Sequence, residues 1–164
     1  MNYSQPLETD PKNLKKIGPG RILGIDYGRK RIGLAMSDPS QMMASTLKTV
    51  SDVNRDRVIE EISVTIEEHN ISAIVLGKPL HMSGEKGEMV QEVENFANEL
   101  GNSMNIPIFL WDERWTTARA ERLLIETGHS PSKSRDKIDQ LSAAYLLQNF
   151  LDRLAFIKNN RPYE

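Results

Sequence analysis

RILGIDYGRKRIGLAMSD, residues 21–38, decides the fold. Ile22 to Ile25 and Ile32 to Met36 are strand-like apolar runs, and Gly28, Arg29 and Lys30 between them make a basic turn, which predicts an antiparallel hairpin. One residue is out of character. Asp26 shares strand parity with Ile22 and Gly24, so its carboxylate is presented on a sheet face at the end of a near-continuous apolar strand. An ionised carboxylate in such surroundings takes up a proton or finds a cation. The competing reading is a turn-capping aspartate before Gly28.

Outward from the hairpin, a third strand is expected over Thr46 to Val50. Val58, Ile62 and Ile66 then recur at four-residue steps, which predicts an amphipathic helix from Asn54 to His69. Ala73 to Gly77 is a short apolar strand. Met89, Val93, Phe96, Ala97 and Leu100 mark a second helix ending near Gly101, and Ile108 to Trp111 a fifth strand. A third helix is expected over Thr116 to Glu126, and a last one over Ile138 to Phe156 after the polar loop HSPSKSRDK. Three antiparallel strands followed by two αβ units predict an α/β fold: a mixed five-strand sheet flanked by helices on both faces. Residues 1–19 are polar, end in Gly-Pro-Gly and are expected to be a flexible extension; 20–156 form one domain and 157–164 a tail.

Composition narrows the function classes. A chain of 164 residues, 38% of them hydrophobic, suffices for one core. Without cysteine there is neither a disulfide scaffold nor a thiolate metal site. The first residues lack the apolar stretch of a secretory signal, and no run approaches the ~20 apolar residues that cross a bilayer. A soluble cytoplasmic protein with no membrane partner is therefore expected. The net charge of −2 exerts no global pull on nucleic acid, so such a partner has to be held by local basic clusters.

Two further acids join Asp26. The last predicted helix carries Ala143, Leu146, Leu147, Phe150, Leu151 and Leu154 on one stripe, and Asp139 stands on the same stripe four residues before Ala143, which turns it inward. A dipole partner for the helix start is the alternative, but the dipole requires no particular face. Glu113 directly follows the strand IFLW, at the carboxyl end where open α/β sheets place ligand-binding residues, although an Asp-Glu-Arg run can equally be a solvated loop. If the three converge, their oxygen donors suit Mg²⁺ or Mn²⁺, whereas zinc would prefer histidine or cysteine. His69, His81 and His129 lie on separate segments without ligand spacing.

Cations frame each acid: Arg29, Lys30 and Arg31 after Asp26; Arg114, Arg119 and Arg122 after Glu113; Lys133, Arg135 and Lys137 before Asp139. They can hold backbone phosphates, or serve only solubility. Lys78 opens the loop GKPLHMSGEKG, whose glycines allow backbone amides to approach an anion; it has no Walker order, and no G-x-G-x-x-G opens a helix.

The segments GIDYGRKRIGLAMSD, IVLGKPLHMSGEKG, LWDERWTTARAERLL and KIDQLSAAYLLQNFL resemble, in order, successive motifs of the YqgF (RuvX-like) family, over about Arg21 to Asp152. These are ribonuclease H-like proteins described as Holliday-junction resolvases or as nucleases that mature the small-subunit ribosomal RNA precursor. The resemblance implies a ribonuclease H-like sheet, with Asp26, Glu113 and Asp139 as the catalytic, metal-binding acids. Trp115 departs from the usual leucine of the D-E-R-x-T-T motif, and Lys78 and His81 vary the loop after the fourth strand. The leading expectation is a divalent-metal nuclease, acting as monomer or homodimer on an rRNA precursor or on four-way DNA. Two other classes remain: an actin-like phosphotransferase, whose Gly-Ile-Asp-x-Gly entry is similar but which needs two such domains, and a non-catalytic nucleic-acid binding protein.

Overall fold

The computed structural model describes residues 5–51, 54–79, 85–113 and 135–160; for residues 79, 85, 86, 113 and 135 it describes the main chain alone. Strands β1 (Arg21–Asp26), β2 (Ile32–Ser37), β3 (Ala44–Val50), β4 (Ile71–Pro79) and β5 (Ile108–Glu113) form one sheet in the order β3-β2-β1-β4-β5. The first three are antiparallel and the last two join in parallel, so the expected mixed sheet is borne out. The central strand β1 is apolar on both faces. Leu23 and Ile25 face the core under α2 (Arg55–Glu68) and α3 (Glu85–Ser103), while Ile22 faces the core under α4 (Arg135–Asn159).

Local chemistry sets the helix ends. The Asn54 side chain accepts hydrogen bonds from the Asp56 and Arg57 amides and starts α2. Asn70, at φ +53°, turns the chain into β4 just beyond the helix. α3 runs through Gly101 to Ser103 instead of stopping at the glycine, because Leu100 and Met104 on either side of it are both buried and their packing outweighs its weak helix preference. The helix expected over Thr116 to Glu126 lies outside the described residues.

The described part of the amino-terminal segment, from residue 5, lies against the sheet. The Leu7 amide donates to the Ile108 carbonyl at 2.7 Å and the Leu110 amide donates to the Leu7 carbonyl at 3.4 Å, a parallel bridge along the outer edge of β5. A single helical turn, α1 (Pro11–Leu14), follows, capped by Asp10, and buries Leu14 in the core under α4. Two isolated leucines leave no periodic trace in the sequence, yet each finds apolar surface or unpaired backbone on the finished sheet.

Candidate active site at the carboxyl end of the central strands

Asp26 is the last residue of β1, and its cross-strand partner is Gly33 of β2. Ile22, Gly24 and Asp26 alternate onto the α4 side: Ile22 belongs to that core, and a Cβ on Gly24 would stand 2.8 Å from the Leu147 Cβ. At Gly33 the helix lies directly on the hairpin. A Cβ there would sit 2.0 Å from the Asp139 carbonyl oxygen, so only a residue without a side chain lets α4 approach. Directly opposed residues of an antiparallel pair project to the same face. Asp26 and Asp139 are therefore brought to one face at one end of the sheet, through the glycine between them.

Thr49 holds the start of α4 in place: its hydroxyl donates to the Asp136 carbonyl at 2.9 Å and accepts from Gln140 at 3.2 Å. The Asp139 side chain is 19% exposed and its Oδ2 accepts from Arg31 Nε at 2.8 Å; Asp136 Oδ1 stands 4.0 Å from the same nitrogen. Burial pushes the Asp139 carboxyl above its ordinary range, and the charge of Asp136 adds to this, while the Arg31 hydrogen bond and charge oppose it. The guanidinium thus keeps a charge-bearing partner beside an acid that desolvation disfavours as an anion.

Glu113 ends β5, paired with Pro79 of β4. Its main chain lies two strand spacings from β1, roughly 10 Å, at the same carboxyl end. Its side chain lies outside the described residues. Among the described residues no three acids or histidines group closely enough to hold a metal.

The basic residues divide. Arg29 Nε donates to both carboxylate oxygens of Glu92, at 2.9 and 3.1 Å, and Lys78 Nζ stands 3.1 Å from Glu94. Lys30 and Lys137 are exposed, at the hairpin turn and in the first turn of α4. Arg135 begins α4; Arg114, Lys133 and Trp115 lie outside the described residues. His69 closes α2 beside Asn70, whose carbonyl accepts from the Arg21 amide, at the opposite end of β1 from Asp26.

Motif reading passed over Arg55, the first residue of α2. Its Nη2 donates to the Tyr27 hydroxyl at 2.8 Å, and its guanidinium stacks 4.9 Å from the Phe96 ring centroid. A cation at a helix amino terminus opposes the helix dipole, and that misfit is the one sequence signal that could have marked it.

Residues 20–153 match the family model described as RuvX, Holliday junction resolvase. The chain belongs to the RuvX family. Among curated relatives of this RuvX chain, one from Roseiflexus sp. (strain RS-1), named "Putative pre-16S rRNA nuclease", is 42% identical over 82% of this chain and 95% of the relative. One of the same name from Sulfurihydrogenibium sp. (strain YO3AOP1) is 42% identical over 87% and 97%. Among solved structures, the yeast mitochondrial Holliday junction resolvase Ydc2 superposes with a TM-score of 0.55 at 17% identity, covering 92% of this chain and 86% of that one. T. thermophilus RuvC in complex with Holliday junction substrate gives 0.54 at 15%, covering 83% and 96%. At those identities the likeness concerns the fold, which is ribonuclease H-like as the sequence motifs imply.

Proposed function

We propose that this RuvX-family protein is a divalent-metal-dependent nuclease that hydrolyses phosphodiester bonds in the precursor of 16S rRNA. The observation that carries the proposal is the seating of Asp139 on Gly33, which sets a second acid beside the end of β1 on the face that Asp26 occupies. The names of the curated relatives support the choice of substrate.

Asp26 and Asp139 offer oxygen donors alone, and the described histidine lies at the far end of the sheet, so the donor chemistry fits Mg²⁺ or Mn²⁺ rather than zinc. Asp26, Asp139 and Glu113 are the residues that would hold the metal. A bound ion of this kind polarises a phosphoryl oxygen and lowers the pKa of water. The chain's own contribution is positional. Gly33 and Thr49 fix the height and start of α4, and Arg31 keeps the Asp139 carboxylate oriented and paired. Arg29, Lys30, Lys78, Arg114, Lys133, Arg135 and Lys137 are proposed to hold the flanking phosphates, largely independently of base sequence. An rRNA precursor as substrate places the protein in the cytoplasm, and among the described residues no helix is long and apolar enough to cross a membrane.

The family description favours a second reading, resolution of four-way DNA, which would need two sites in a two-fold dimer. One experiment separates the two. Purified protein is offered a pre-16S fragment and a four-way DNA junction, in Mg²⁺ and in chelator. Precursor cleavage that requires Mg²⁺ and falls at least 100-fold in Asp26→Asn, with folding intact, is the expected result. Unchanged cleavage by Asp26→Asn refutes the role given to that carboxylate, and preferential cutting of the junction selects the second reading.

A further inference from the structure

The turn Gly28–Arg31 splays its cations in different directions. Arg31 reaches the α4 side and Asp139, whereas Arg29 and Lys30 border a cavity of about 170 Å³ on the other side of the sheet, together with Arg55 of α2. Gly28 and the buried side chains of Ile32 and Val58 also line it. Among the described residues, three cations and no carboxylate line this cavity.

Two of those cations are held from behind. Glu92 engages Arg29 through Nε, and among the described residues no acceptor engages its Nη groups. The Arg55 guanidinium lies over the adjoining Tyr27 and Phe96 rings, with centroids 5.3 and 4.9 Å from its guanidinium carbon, and Glu99 stands 3.6 Å from its Nε. Both acids belong to a neighbouring cavity of about 330 Å³, which shares Arg29 and Arg55 with the first, so their charge lies behind the guanidinium groups and not in the smaller cavity. Guanidinium groups already held by an acid or by ring faces lose less side-chain freedom on binding, and their planar forks suit phosphate oxygens. Lys30, exposed at the tip of the turn, adds a mobile point charge.

We infer that the cavity between the β1–β2 turn and the start of α2 is a phosphate-binding subsite, formed by Arg29, Lys30 and Arg55, that anchors the nucleic-acid strand on the side of the sheet opposite the acids. The inference rests on the nuclease reading for the source of its ligand. A strand whose reacting phosphate meets the acids on the α4 side crosses the turn and delivers another phosphate to this subsite. Arg55 joins the substrate-binding residues in this arrangement, and the turn acts as the divider between cleavage and anchoring.

Binding without cleavage tests it. Fluorescence anisotropy in chelator measures affinity for a labelled single-stranded RNA from 50 to 300 mM salt, for wild type, Lys30→Gln, Arg55→Gln, Arg55→Lys and the control Lys158→Gln at the far end of α4. Each phosphate contact to a single strand contributes about 0.7 to the salt slope, or about fivefold in affinity at 0.1 M salt. Lys30→Gln and Arg55→Gln are each expected to lose that amount, Arg55→Lys to recover most of the slope, and Lys158→Gln to match wild type. A 5′-phosphorylated RNA that outbinds its 5′-hydroxyl counterpart in wild type but not in Lys30→Gln identifies the ligand as a terminal phosphate; equal affinities identify an internal one. Wild-type affinity and slope in Lys30→Gln overturn the subsite whether or not Arg55→Gln folds. A wild type that binds RNA with these slopes but never cleaves it in Mg²⁺ leaves the subsite standing and removes the nuclease reading.

Discussion

The two faces of the sheet are built on opposite plans. On the α4 side small residues line the contact, with Gly24, Gly33, Ala35 and Ala73 on the strands and Ala143 on the helix, so backbone meets backbone. On the α2 and α3 side the space is filled by large side chains, among them Phe96, Ile62, Leu100 and Met104, and the helices stand off far enough to leave cavities beside the β1–β2 turn. The difference teaches where precision is required. The tight face sets the distance between two acids on separate elements; the padded face supplies most of the bulky core and leaves room for a ligand.

Substitutions that exchange the properties of the two faces test this contrast. Ile62→Ala, a cavity in the padded face, should lower unfolding free energy by about 2–5 kcal/mol in urea titration while the remaining folded protein keeps its cleavage rate. Gly33→Ala should cost less stability, about 1–3 kcal/mol by the same titration, yet reduce cleavage by about 100-fold, because the added methyl forces α4 and Asp139 away from the hairpin. Equal loss of cleavage in both variants would erase the distinction. Thr49→Val removes the hydroxyl that ties the start of α4 and should cost about 1 kcal/mol, with a smaller fall in cleavage than Gly33→Ala.

The smallest expected effect concerns the opposite end of the sheet. The Met43 amide, the Ser40 hydroxyl and the Met42 amide all donate to Asp38, in that order of importance, and hold its carboxyl well below the usual carboxylate range. A depressed folded value stabilises the protein above the unfolded one and ceases to as pH falls toward the folded one. The melting temperature of Asp38→Asn should therefore trail wild type by a constant amount above about pH 5, and the gap should narrow steadily below it. A gap that widens on acidification contradicts the sign.

Much of this organisation was legible in the sequence. The apolar runs in RILGID and IGLAMS on either side of a basic turn announced the hairpin, and the four-residue recurrence of Val58, Ile62 and Ile66 announced α2. The parity of Asp26 with Ile22 and Gly24 put it on the same sheet face as those two, the face that α4 covers in the structure, and the stripe through Ala143 turned Asp139 inward, where its side chain is largely buried. The unread features depend on partners distant in the chain. Arg31 and Asp139 are 108 residues apart, and nothing near Arg31 distinguishes it from its neighbours Arg29 and Lys30. Gly33 reads as one more small residue in a strand until a helix is laid on it. Arg55 takes its meaning from rings contributed by the end of the hairpin and the middle of α3.

The bridge at Leu7 has a practical corollary. β5 is the outermost strand on its side, and residues before the family-matched stretch 20–153 cover part of its rim. A version trimmed to that stretch would bare the rim and the pocket that Leu14 fills, a template for sheet-to-sheet adhesion between molecules. Removing the first nineteen residues to obtain a tidier sample would then yield clumping material whose poor behaviour says nothing about its chemistry, and affinity handles for purification belong at the other terminus.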